Sequence, residues 1–279
     1  MQASNYLSNA LQEKRPAFGA WQSADGTVAK MIPGPNVSRQ LARCGFEWIL
    51  IDMEHGNIDD AAMHDAVAAI GACGVSPIVR IAANEGWMVK RALDAGAHGI
   101  LVPLLRTAEE AASLVASAKF PPMGIRGFGS PFPYGNFGNV SAADYLEQAN
   151  SSLLTCVQIE TQEALDNVDA IAKVPGVDVL FVGPFDLGNN IGHVIKNGKM
   201  DPELETAIQT IRKAAEANGK GSGIYCTSGE QAKRFADEGF HMISAVTDMA
   251  ILPAASTAAL QVAKGMSGAP KVATGPYGG

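Results

Sequence analysis

The sequence predicts a single (β/α)8 TIM barrel, and three observations carry the prediction. The chain has 279 residues, close to the ~250 typical of that fold and short for two ordinary domains. Eight β-rich runs alternate with helical stretches. Several runs (WILI, LLTCVQI, VLFVG) are almost unbroken apolar, as parallel strands covered on both faces should be. A doubly wound open sheet is the structural alternative.

In chain order, the expected strands are Phe18–Ser23, Trp48–Glu54, Pro77–Ile81, Gly99–Leu104, Leu153–Glu160, Val179–Pro184, Gly223–Cys226 and Met242–Thr247. Between them, Thr107-Ala-Glu-Glu110 and Ser228-Gly-Glu-Gln231 read as capping boxes, a hydroxyl followed three residues later by Glu or Gln. Asp201–Asn218 and Gln231–Glu238 carry amphipathic, helix-forming composition. Phe120–Val140, rich in Gly, Pro and aromatics, and Leu187–Met200, rich in Gly and Asn, read as long loops where function collects. Residues 1–264 form the expected barrel domain, and 265–279 a small, Gly-rich, flexible tail.

The composition is 47% hydrophobic and 18% charged, with a net charge of −7. That acidic balance argues against a nucleic-acid partner, although a local basic pocket for a small anion is compatible with it. No run of 18 apolar residues is present, so no membrane span is expected, and Met1–Arg15 lacks the apolar region of a secretory signal. Cys44, Cys73, Cys156 and Cys226 are widely spaced in apolar surroundings, which fits free thiols in a reducing compartment, the cytoplasm.

Chemistry in such a barrel gathers where the strands end. Those ends hold Gln22, the run Asp52-Met-Glu-His55, Arg80, Gln158-Ile-Glu160 and Gly183-Pro-Phe-Asp186. Gln158 and Glu160, two apart, point to the same side of the sheet. Glu160 and Asp186 end neighbouring strands, and carboxylates that converge so closely need a cation or a shared proton between them. A hard divalent ion such as Mg2+ or Mn2+ takes oxygen ligands and leaves positions open for a 2-oxo acid. The loop from Gly183 could present backbone N–H groups to the carboxylate of that acid.

Arg80 supplies a permanent positive charge for an enolate oxygen. His55 suits proton transfer at neutral pH. Each residue also has a plainer reading: Glu160 or Asp186 as a helix cap, Arg80 as the ion-pair partner of Asp52 or Glu54, His55 as structural. Their shared placement at one predicted face favours the chemical reading. His64, His98, His193 and His241 lack that placing and give no zinc spacing. The lysines, Lys30, Lys90, Lys119, Lys173, Lys213 and Lys233 among them, fall on helices or loops, which disfavours Schiff-base chemistry. Gly124-Ile-Arg-Gly127-Phe-Gly129 has the wrong spacing for a dinucleotide site.

The strings FEWILIDMEHG (46–56), PIVRI (77–81), RALDAGAHGILVP (91–103), GIRGFGS (124–130), VQIET (157–161) and FVGPFDLG (181–188) resemble the HpcH/HpaI aldolase family of metal-dependent class II pyruvate aldolases, which includes macrophomate synthase. The resemblance runs in order from Gly19 to Ala250. It implies Glu160 and Asp186 as metal ligands for Mg2+, Mn2+ or Co2+, His55 as the base, Arg80 at the enolate and Asp94 as the partner of the histidine. It further implies Gln158 in the substrate pocket and the Phe185 and Asp186 N–H groups at the pyruvate carboxylate. A barrel that exchanges its last helix with a neighbour, within a homo-hexamer, is part of the same implication. Phe185 stands where many relatives have alanine, and Tyr225 where an aliphatic side chain is expected near the pyruvate. The aromatic stretch Ser130–Asn139 also departs from the family pattern.

The expected activity is carbon–carbon lysis of a 4-hydroxy-2-oxo acid into pyruvate and an aldehyde, or the reverse addition. Oxaloacetate decarboxylation, or a macrophomate-synthase-like use of the same enolate with another acceptor, is the alternative within enzymes. A barrel that binds a metal or an organic acid without turnover is the alternative outside them.

Overall fold

Eight parallel strands pair each with the next, and the last pairs back with the first, closing a barrel in sequential order. The strands are β1 (Ala17–Gln22), β2 (Trp48–Asp52), β3 (Ser76–Arg80), β4 (Gly99–Val102), β5 (Leu154–Ile159), β6 (Val179–Val182), β7 (Gly221–Ile224) and β8 (Met242–Thr247). This computed structural model describes residues 1–23 and 35–266. Lys30 and most of the tail therefore lie outside the described residues.

Side-chain alternation divides the strands into two layers. Trp48 and Leu50 of β2, Ile78 of β3, Leu101 of β4, Leu154 and Cys156 of β5, and Val179 and Phe181 of β6 share the barrel interior. Their neighbours Ile49, Ile51, Val79, Ile100, Val102, Val157 and Leu180 face the helices. The period of two thus places Asp52, Arg80 and Gln158 as the top inward side chains of their strands. At the other end, the helix Tyr6–Gln12 stoppers the barrel. Leu7 and Ala10 join the interior cluster, and the Asn5 amide donates to the carbonyls of His98 and Ser152.

The strand ends differ from the sequence expectation in one consistent way. β2, β4, β5 and β6 stop before Glu54, Leu104, Glu160 and Pro184, so several chemically interesting residues sit on the loops just above the sheet. β7 begins two residues earlier than expected, because Gly221 and Gly223 pair with β6 although glycine carries no strand signal.

The helices follow their caps. Thr107 and Glu110 form the full reciprocal capping box. Ser228 accepts from the Gln231 N–H at 3.2 Å, whereas the Gln231 side chain accepts from Thr227, so only half of that box forms. The helices Pro202–Ala217 and Gly229–Asp237 occupy the expected places. Leu187–Asn190, expected as loop, completes the short helix Pro184–Asn190.

The aromatic loop is the larger correction. It follows the helix Ala108–Ala118, so the chain has already returned to the N-terminal end of the barrel. There Arg126 pairs with Asp94 at 2.8 Å, Asn136 donates to the Gly96 carbonyl, and Phe137 stacks on His98 at 4.3 Å. Ser130–Asn139 therefore lies away from the C-terminal rim, and it includes a short helix, Pro133–Asn136.

Candidate active site

A cavity of about 520 Å3 opens at the C-terminal ends of the strands. Arg80, Gln158 and Gly183 line its depth, His55 and Asp186 its edge, and Trp21, Phe185 and Tyr225 one side. All but one of the sequence-predicted site residues thus converge here, either in the lining or, for Glu160, against it.

Glu160 is 2% exposed. Its Oε1 accepts from the Leu104 N–H at 2.7 Å, and its Oε2 takes the Gln158 amide. The cap of the next helix is Thr161, whose hydroxyl accepts from the Ala164 N–H, so Glu160 is released from capping and turns inward. Burial raises its pKa to about 7; the Leu104 and Gln158 hydrogen bonds oppose the rise, and the charges of Asp186 and Glu54 add to it. Asp186 lies in the first turn of the helix Pro184–Asn190, whose N-cap is Gly183, so it is free of the capping role as well.

Gly183 packs directly under this pair. A methyl group there would overlap the Glu160 carboxylate and come within 2.8 Å of the Gln158 amide nitrogen, so only glycine allows the two strands' side chains to share the space.

Arg80 is held from two sides. Its Nε and Nη2 meet Asp52 Oδ1 and Oδ2 at 2.9 and 2.6 Å, and its Nη1 lies 3.0 Å from Glu54 Oε2. The guanidinium also stands 4.6 Å over the Trp21 ring. Burial pushes Asp52 upward, but the hydrogen bonds and charge of Arg80 outweigh it and hold the carboxyl below its ordinary range. Glu54 goes the other way: burial, with Asp52 and Asp186 nearby, raises it to about 7 despite Arg80. The plain reading of Arg80 as an ion-pair partner and its chemical reading are therefore both met by one geometry.

His55 is about half exposed, with Nε2 3.7 Å from Glu54 Oε1, and its backbone N–H donates to Asp52 Oδ1. Asp52 and Glu54 thus belong to the site as positioning residues, which the sequence reading placed at the strand end and gave only as ion-pair partners of Arg80. The signal was present in the run DMEH, because Asp52 is the last inward residue of β2 and sits in register with Arg80.

Asp94 is the exception. It ends the helix Gly86–Asp94, which runs away from the rim, and its carboxylate pairs with Arg126 at the N-terminal end of the barrel. Within one chain Asp94 cannot partner His55.

The donor set fits a hard divalent cation. The charges of Asp186 and Glu54 act on Glu160 and that of Asp186 acts on Glu54, all three offer oxygen, and the Gln158 Oε1 beside Glu160 is buried without a hydrogen-bond partner. Among the described residues, no lysine lines the cavity. A second carboxylate–imidazole group, His193 with Asp201 and Glu203, is exposed, and its Asp201 already caps the helix Pro202–Ala217.

A sequence model described as HpcH/HpaI aldolase/citrate lyase matches residues 33–254. The chain is 35% identical over 252 residues to 5-keto-4-deoxy-D-glucarate aldolase of Shigella boydii serotype 18, covering 90% of this chain and 93% of that protein. A crystal structure of an HpcH/HpaI aldolase/citrate lyase family protein from Burkholderia cenocepacia J2315 superposes with a TM-score of 0.82 at 34% identity, covering 93% and 99% of the two chains. Macrophomate synthase superposes with a TM-score of 0.78 at 25% identity, covering 95% and 89%.

Proposed function

Because the chain belongs to the HpcH/HpaI aldolase/citrate lyase family and is an aldolase, a carbon–carbon lyase, we propose that it cleaves a 4-hydroxy-2-oxo acid to pyruvate and an aldehyde, using a divalent cation held by Glu160 and Asp186. The observation that carries this reading is the gathering of Glu54, Glu160 and Asp186 at one rim, with two of the three carboxyls raised to about 7. Such a cluster is unfavourable until a dication neutralises it. Mg2+, Mn2+ and Co2+ all suit oxygen donors. When bound, the ion supplies Lewis acidity at the 2-oxo group.

The residues of the chain do the rest. His55, at the accessible edge of the cavity, takes the proton of the 4-hydroxyl. The C3–C4 bond breaks, its electron pair passes into the enolate, and the aldehyde leaves. Arg80 steadies the enolate oxygen with a guanidinium that Asp52 and Trp21 already hold in place, so little reorganisation is needed. Protonation at C3 then gives pyruvate. The N–H groups of Phe185 and Asp186, in the first helical turn and without intrahelical acceptors, suit the substrate carboxylate. Gln158 offers its unpartnered Oε1 to a substrate donor.

Oxaloacetate decarboxylation forms the same enolate, and the aromatic side of the cavity favours it as a second reaction with a macrophomate-synthase-like acceptor. We further place the protein in the cytoplasm, on the support of four unpaired cysteines. Among the described residues, no helix is long and apolar enough to cross a membrane. The helix Asp248–Ala263 leaves Ile251, Leu252, Leu260 and Val262 48–78% exposed, an apolar surface that suits exchange with a neighbour in a homo-hexamer.

The test is pyruvate release from a 4-hydroxy-2-oxo acid before and after EDTA treatment. Loss with EDTA, recovery with Mn2+ or Mg2+, and loss in Glu160→Ala are expected. Activity that survives complete metal removal and Glu160→Ala would overturn the proposal.

A further inference from the structure

The cavity has a second character besides its charged floor. Trp21 meets Tyr225 edge-on at 5.0 Å, and Tyr225 meets Phe185 at 6.3 Å and 67°. Phe181 backs Trp21 at 6.0 Å. Trp21 and Tyr225 are buried, while Phe185 remains half-buried on the cavity side. Interlocked rings of this kind present a fixed apolar surface and little capacity to adapt.

Charge on the opposite side is lopsided. Arg80 pairs with the carboxylates of Asp52 and Glu54, and those of Glu160 and Asp186 lie close enough to act on the same cluster. A bound dication leaves the set still formally negative, and the carboxylate of the 2-oxo acid adds one charge more. Arg80 already spends three nitrogens on Asp52 and Glu54. Among the described residues lining the cavity, no other Arg or Lys is present. An aldehyde that brought its own carboxylate would be desolvated against rings and negative charge, with no Arg or Lys counter-ion among the described lining residues.

We propose that Phe185 and Tyr225, braced by Trp21, form the acceptor wall of this enzyme and select an uncharged aldehyde with an apolar or aromatic substituent over one that carries a carboxylate. The inference rests on the aldolase reading above and names the substrate class of that same site. It separates this chain from its relatives named for glucarate, a dicarboxylic acid. A flat apolar substituent gains contact with the rings, whereas a carboxylate gains none.

The experiment condenses pyruvate with benzaldehyde, butyraldehyde and succinic semialdehyde in the presence of Mn2+, using the whole chain. Solvent deuterium entry into the pyruvate methyl group is followed in parallel, without any aldehyde. The wild type should favour benzaldehyde or butyraldehyde over succinic semialdehyde by about tenfold or more in kcat/KM, the scale a pocket of this kind can reach. Phe185→Ala and Tyr225→Leu should each shrink that ratio severalfold. The ratio compares two substrates on one preparation, so partial misfolding does not move it. Equal or greater use of succinic semialdehyde, with deuterium entry intact, would overturn the acceptor assignment and leave the aldolase reading standing. A ratio unmoved in both variants would overturn it too. Absence of both deuterium entry and condensation with every aldehyde would bring down the aldolase reading and this inference with it.

Discussion

Asp52 and Arg80 are register partners on adjacent strands, and their side chains join in a two-point ion pair inside the barrel. Asp52 is fully buried and Arg80 is 3% exposed, so the pair fixes the guanidinium before any substrate arrives. Removing one partner strands a buried charge. Asp52→Ala should lower the unfolding free energy by about 3 kcal/mol, read by urea denaturation, and should lower kcat more than it raises KM. Unchanged stability and turnover would show that Glu54 alone suffices to hold Arg80.

Gly183→Ala tests the metal-binding rim without removing a ligand. The added methyl group displaces the Glu160 carboxylate and crowds Gln158. Mn2+ affinity, measured by calorimetry, should weaken by about tenfold or more, with the circular dichroism spectrum retained.

His55→Asn should reduce kcat by about 10²–10⁴-fold, the range for loss of a positioned acid–base group. Mn2+ affinity should stay within twofold or so of wild type, since His55 is not one of the proposed ligands Glu160 and Asp186. The measurements are single-turnover kinetics and a metal titration of the same preparation.

His98 makes a stability prediction remote from the rim. Burial lowers its pKa to about 4, against an opposing hydrogen bond to the Asn136 carbonyl. The unfolded chain, with the ordinary imidazole value of about 6.5, binds the proton first as pH falls. The contribution of His98 is therefore complete above about pH 6.5 and is lost progressively down to about pH 4, on the order of 3 kcal/mol across the window. Comparing urea denaturation of wild type and His98→Asn at pH 7.5 and 5 isolates it; a pH dependence identical in the two proteins would refute it.

The exposed apolar helix Asp248–Ala263 predicts self-association. Light scattering should give a multiple of the 29.1 kDa chain mass, and the double substitution Ile251→Glu with Leu260→Glu should reduce it. A monomeric wild type would exclude the exchanged-helix assembly.

Much of this was legible in the sequence, for reasons that also mark the boundary. Trp48-Ile-Leu-Ile and Val179-Leu-Phe-Val could be read as strands because burial on both faces demands continuous apolar residues. Their polar ends then placed Arg80, Gln158, Glu160 and Asp186. Asp94 was misplaced because a motif shared with a family says nothing about which end of a helix carries it, and the last turn of a barrel helix lies opposite the rim. Glu54 and Leu104 were absorbed into strands. Leu104 in fact adopts a left-handed backbone, with φ of 54°, which turns its N–H toward Glu160, and no pattern of leucines signals that. The loop Ser130–Asn139 drew attention through its aromatic content, but Tyr134 packs on Tyr145, Phe137 on His98 and Tyr145, and Phe132 on His64.

The stopper formed by Leu7 and Ala10 closes the N-terminal end of the barrel, so among the described residues the cavity opens at the C-terminal rim. With Arg80 and Gln158 at depth and the Phe185 ring nearer the opening, whatever rests against the rings obstructs whatever lies beneath. On the proposed reaction the aldehyde should exit first and pyruvate second, with synthesis running through the same queue reversed. Pyruvate is then expected to compete with the cleaved substrate for the free enzyme and the aldehyde to act as a noncompetitive product inhibitor, which product-inhibition kinetics would check.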